Sequence, residues 1–141
     1  MCGLGGAQIM SPIPVTLLAA AAAALVNIWL GWRIAEYRKQ FQVSVGHGGK
    51  EPLLRRMRAQ SNFIENAPIF LILLGALEIS GANKPVLGLL AVIFTLARVS
   101  HAFGMDRVEN RRWRVLGMMG TAFSTFGLIF WSIATALVAL T

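Results

Sequence analysis

Four apolar stretches divide the chain, and polar connections separate them. The first, Ile13 to Trp32, reads IPVTLLAAAAAALVNIWLGW. Pro14 suits a first helical turn, and Trp29 and Trp32 suit a lipid–water interface. The second starts polar near Leu53, is wholly apolar from Ala67 to Leu77 and stops at Gly81. The third begins at Pro85 and reaches about Phe103. The fourth, Val115 to Leu140, holds no charge in 26 residues. A bilayer core takes about 20 apolar residues of helix, so the pattern predicts four spans, at roughly 12–38, 53–80, 85–104 and 112–140. No strand-like alternation interrupts them. The fold class expected is an all-α membrane protein, a four-transmembrane-helix bundle forming one integral membrane domain over residues 1–141. The short break between the second and third spans predicts an antiparallel hairpin.

Composition supports lipid rather than water as the solvent. The chain is 56% hydrophobic and 13% charged, whereas soluble domains are about 25% charged. Its net charge of +7 would suggest nucleic acid in a soluble protein. Here the basic residues fall between apolar runs, and no basic patch with interleaved aromatics is present, so nucleic acid is not expected as a partner. Eleven lie in the first and third connections, from Arg33 to Arg58 and from Arg107 to Arg114, against Lys84 alone in the second. The positive-inside rule then places both long connections in the cytoplasm and both termini on the opposite side. The N-terminal MCGLGGAQIMSP has no basic residue to start a secretory signal, and Cys2 excludes the myristoylation pattern.

Some polar residues lie too deep for topology alone. Arg58, Asn62 and Glu65 follow i, i+4, i+7, which puts them on one stripe of the second span, with Arg55 a turn earlier. Arg98 and His101 share a face of the third. Arg114 opens a stripe continued by Met118, Thr121 and Thr125. If the three stripes meet, they form a cationic pocket suited to a small ligand with several carboxylates and an amine. Simpler readings stand beside this one. The arginines are positive-inside residues, Asn62 and Glu65 are interhelical glue, His101 is structural, and Arg98 is a partner for Glu65. Asn27 reads as an interhelical hydrogen bond, Glu78 as an interfacial residue, and Gly117, Gly120, Ser124 and Gly127 as close helix packing. GHGG, Gly46 to Gly49, reads as a turn. Two histidines and one cysteine supply no metal-ligand cluster, so no metal is expected.

The motifs RAQSNFIENAP, Arg58 to Pro68, and LARVSHAFG, Leu96 to Gly104, resemble those of the MAPEG family, membrane-associated proteins in eicosanoid and glutathione metabolism. The resemblance covers roughly Ile34 to Phe126 and is to the small bacterial members. It implies a homotrimer in membrane lipid, with glutathione bound as co-substrate between subunits. Carried over by position, Arg38, Arg58, Gln60, Asn62, Glu65, Arg98 and His101 would bind glutathione. Arg114, with Arg112 as the alternative, would stabilise its thiolate. Asn66 and Met105 stand where many relatives have tyrosine, which argues against leukotriene- or prostaglandin-forming activity.

The implied activity is glutathione transferase or peroxidase chemistry on a lipophilic electrophile. The alternative is a non-catalytic trimer that binds glutathione or another small anion. A four-span exporter fits less well, because no acidic residue lies between Ile13 and Arg33.

Overall fold

The computed structural model describes residues 13–107 and 111–141. The N-terminal stretch with Cys2, and the start of the first span at residue 12, lie outside the described residues. Four helices account for most of the remainder: α1 (Pro14–Phe41), α2 (Glu51–Ile79), α3 (Lys84–Asp106) and α4 (Arg111–Leu140). All four are long and apolar enough to cross a membrane. Among the described residues there is no strand.

Local chemistry explains the boundaries. Prolines stand in the first turns of α1, α2 and α3, where no intrahelical N–H bond is lost. The Asn83 side chain accepts from the Val86 amide at 3.1 Å and caps α3. Gly81, at φ +82°, supplies the left-handed residue that turns α2 into α3. The α1 helix ends three residues later than the apolar pattern predicts. Gln42 then takes a left-handed conformation, and its amide bonds to carbonyls of the last turn.

The helices form a rhombus. Central α2 and α3 pack together, with Phe70 stacked on Phe94 at 4.0 Å between centroids. The flanking helices α1 and α4 each touch both central ones and make no contact with each other. The α3–α4 seam is close because glycine allows it. A Cβ on Gly117 would lie 2.6 Å from the Ala97 carbonyl oxygen and the His101 amide nitrogen, and one on Gly104 would fall on the Arg114 backbone.

Two polar clusters bind the helices near their ends. At the end where α2 stops, Glu78 is 1% exposed and interacts with the start of α1. Its carboxylate accepts from the Val15 amide at 3.0 Å, and from the Thr16 amide and hydroxyl at 2.7 Å each. Helix-start amides have no partner in their own helix, so Glu78 caps α1 from 62 residues away. The interfacial role expected for Glu78 is thereby corrected to a buried cap.

At the basic end, Asp106 pairs with Arg33 of α1 and with Arg56 of α2, the latter at 3.2 Å. Arg33 is 7% exposed and lies 4.5 Å from the Trp29 ring. Arg56 also donates to the Arg33 carbonyl at 2.8 Å and sits 3.6 Å from the Tyr37 ring. From Pro14 to Arg33 a helix rises about 30 Å, the thickness of a hydrocarbon core. The Arg33–Asp106–Arg56 clamp therefore marks the membrane boundary, and the last two turns of α1 project beyond it.

Candidate functional site

Measured along the helices from this boundary, Asn62 lies about 9 Å deep and Arg98 about 12 Å. Helical spacing alone holds Arg58, Asn62 and Glu65 in line on α2. Together with Ser61 they form one wall of a cavity of about 380 Å³. His101 and Met105 of α3 line its floor, and Arg114 and Met118 of α4 form the second wall. A wider space of about 660 Å³ adjoins it toward the basic end and shares Arg58, Met105 and Arg114. Arg55, Arg107 and Arg111 add three further guanidinium groups there, against Glu51 alone among the acids of the described lining.

Arg98 lies behind the floor, 3% exposed. It donates from Nη1 to Asn62 Oδ1 at 2.5 Å and from Nη2 to the Gly117 carbonyl at 3.2 Å, and its Nε has no hydrogen-bond partner. It is thus not the ion-pair partner of Glu65. The Asn62 turn lies nearer in depth and takes the contact. Both of its acceptors are neutral, so no carboxylate among the described residues pairs with this guanidinium beneath the cavity. The Asn66 side chain, in turn, donates to the Asn62 carbonyl at 2.7 Å.

The side chains of Arg58, Glu65 and Arg114 make no ion pair or hydrogen bond with any described residue. Arg55 is engaged by Glu51, one turn away on the same helix, at 3.0 Å. The tight crossing at Gly104 and Gly117 determines where Arg114 stands, since α4 begins against the α3 backbone there. Arg114 lines both spaces, and Arg112 lines neither.

Two of the residues expected at the site lie elsewhere in the chain. Gln60 points to the opposite side of α2, where it donates to Asn27 Oδ1 of α1 at 3.3 Å. Arg38 lies on the projecting end of α1. It donates to the Ser44 carbonyl at 2.8 Å and contacts the Met57 sulfur at 3.9 Å, which anchors the α1–α2 connection. Sequence reading did not single out Ser61, Gly104, Arg107 or Arg111. Gly104 follows His101 by three residues and Arg111 precedes Arg114 by three, so helical spacing was a usable signal for both.

A model of the MAPEG family matches residues 16–134, a wider stretch than the two motifs span. The inner membrane protein YecN of Escherichia coli strain K12 is similar. It is 28% identical over 107 residues, covering 76% of this chain and 81% of that protein. The YecN of Escherichia coli O6:H1 is similar to the same extent. With most of its length matched by the family model, and with the four-helix architecture in place, the chain belongs to the MAPEG family.

Proposed function

We propose that this protein is an inner-membrane glutathione-binding protein. It would conjugate a lipophilic electrophile, or reduce a hydroperoxide, through a thiolate stabilised by Arg114. The single observation carrying the reading is the imbalance at the cavity. Arg58 and Arg114 lack counter-charges among the described residues, a buried Arg98 lies under the floor, and one carboxylate, Glu65, stands among them. Glutathione has two carboxylates, an ammonium and a thiol, and this donor set fits it. Arg58 would pair with a carboxylate, Glu65 would hold the ammonium, and Asn62, fixed by Arg98, would orient the backbone. Bound there, glutathione supplies the nucleophilic sulfur. A free thiol has a pKa of about 8.5, and an adjacent cation lowers it. Arg114 would thereby keep the sulfur deprotonated, with the cavity walls excluding bulk water from it.

A homotrimer is part of the proposal. The cavity has α2, α3 and α4 for walls and lacks a fourth, because α1 lies across the molecule from α4. The α1 helix of a second copy would close it and bring Arg38 of α1, with Gln60 of the adjoining α2, close to another subunit's site. Both long connections would face the cytoplasm, where glutathione is found.

Conjugation of 1-chloro-2,4-dinitrobenzene by the purified protein tests the reading, together with the ultraviolet thiolate absorbance on adding glutathione. Turnover with a thiolate band supports it. Glutathione binding by calorimetry without a band or turnover favours the non-catalytic alternative, and no binding refutes both.

A further inference from the structure

The face opposite the polar cavity, built from α1, α3 and α4, carries different chemistry. Near the basic end two apolar grooves lie side by side on it. One, of about 530 Å³, runs between α3 and α4 over Leu96, Val99 and Phe103, and Trp113 and Arg107 border it at the end. The other, of about 350 Å³, runs between α1 and α3 over Leu25, Val26 and Trp29. Val99 and Phe103 line both, so they form the ridge that divides the two. Phe103 is 47% exposed, and its ring packs against that of Trp29 at 5.4 Å. The Ser100 hydroxyl in the first groove already donates to the Trp113 carbonyl at 2.9 Å and offers little to a ligand.

We propose that this face binds one diacyl phospholipid with an anionic headgroup. Its two chains straddle the Val99–Phe103 ridge, and its phosphate lies at Arg107. Three observations support the assignment. A forked apolar ligand matches two grooves parted by a ridge. Arg107 is exposed, makes no hydrogen bond or ion pair with a described residue, and directly follows Asp106 of the boundary clamp, so it stands at headgroup depth. Trp29 and Trp113, which border the grooves, are the residue type that settles at that depth.

An anionic headgroup complements the Arg107 guanidinium at the mouth of the grooves. Arg107 also borders the wider polar space, but the apolar grooves and the ligand differ from those of the glutathione reading, and the inference does not depend on it.

The test uses the full chain in nanodiscs, with Trp32→Phe and Trp131→Phe so that Trp29 and Trp113 remain. Phosphatidylglycerol or phosphatidylcholine with brominated chains is added in increasing mole fraction to an unbrominated background, and tryptophan quenching is read. Phosphatidylglycerol should quench half-maximally at about one-fifth of the mole fraction that phosphatidylcholine needs, the preference expected of one cation at a membrane surface. Arg107→Gln should abolish the preference. Lys39→Gln, the same charge change at the exposed end of α1, should keep it. Equal quenching by the two lipids overturns the proposal, as does an equal loss in both variants, which would indicate diffuse surface charge. If the tryptophan variant does not fold, native mass spectrometry of the wild-type chain released from mixed nanodiscs decides. One retained phosphatidylglycerol, lost in Arg107→Gln, supports the site, and no excess over phosphatidylcholine overturns it.

Discussion

Of the three glutamates of α2, Glu65 and Glu78 have opposite surroundings. Glu78 is buried, and three donors from α1 satisfy its carboxylate. Glu65 is exposed on a cavity wall with no described partner. The arginines divide in the same way. Arg33 and Arg56 share Asp106 and bind three helices together, whereas Arg58 and Arg114 border open space. A charge at membrane depth is costly unless it is paired or reaches water. The satisfied set therefore reads as structure, and the unsatisfied set reads as a site for something that is not protein.

Substitutions on each side of this division should separate stability from function. The largest effect expected is that of Glu78→Ala. It leaves the half-buried Val15 and Thr16 amides without acceptors and should cost about 3 kcal/mol, seen as a clear fall of the denaturation midpoint in detergent. Arg114→Ala should leave that midpoint nearly unchanged while lowering conjugation about 100-fold or more and removing the thiolate band. If its midpoint falls as that of Glu78→Ala does, Arg114 belongs to the structural set. Gly117→Val should cost about 2 kcal/mol, because its side chain meets the α3 backbone. By displacing α4 it should also lower glutathione affinity, so it alone should move both readouts. Glu65→Gln is the mildest. About a tenfold loss of glutathione affinity by calorimetry is expected, the cost of one exchanged charge contact, with the midpoint within about 0.5 kcal/mol of the parent.

How much of this was legible in the sequence follows from the range of each interaction. The spans follow from local hydropathy, and the Arg58–Asn62–Glu65 stripe follows from helical period, because both are properties of neighbours in the chain. The helix pairs that bring Arg114 and His101 to that stripe were readable only as a coincidence of depth. Glu78 was not legible as a cap, because its partners are largely backbone amides, which every residue has and no sequence advertises. Arg33 looked like a topology signal, since its partner Asp106 lies 73 residues away. The partner of Arg98 was also out of reach. Whether it bonds Asn62 or Glu65 depends on the relative height of α2 and α3, which hydropathy sets only to within a turn. Gln60 belongs to the motif, yet the 100° step of the helix turns it toward α1, away from its motif neighbours.

The Glu78 cap has a consequence for biogenesis. The amides it satisfies are among the first of α1 to be made, and the carboxylate arrives only when α2 is nearly complete. Until then, a nascent chain with only its first span inserted leaves those amides to water or lipid headgroups. The latch closes once the second span has been threaded through the bilayer and delivered Glu78 beside them. The first two helices therefore become one locked pair only after both have crossed, and a ribosome stalled within α2 would leave the segment unlatched.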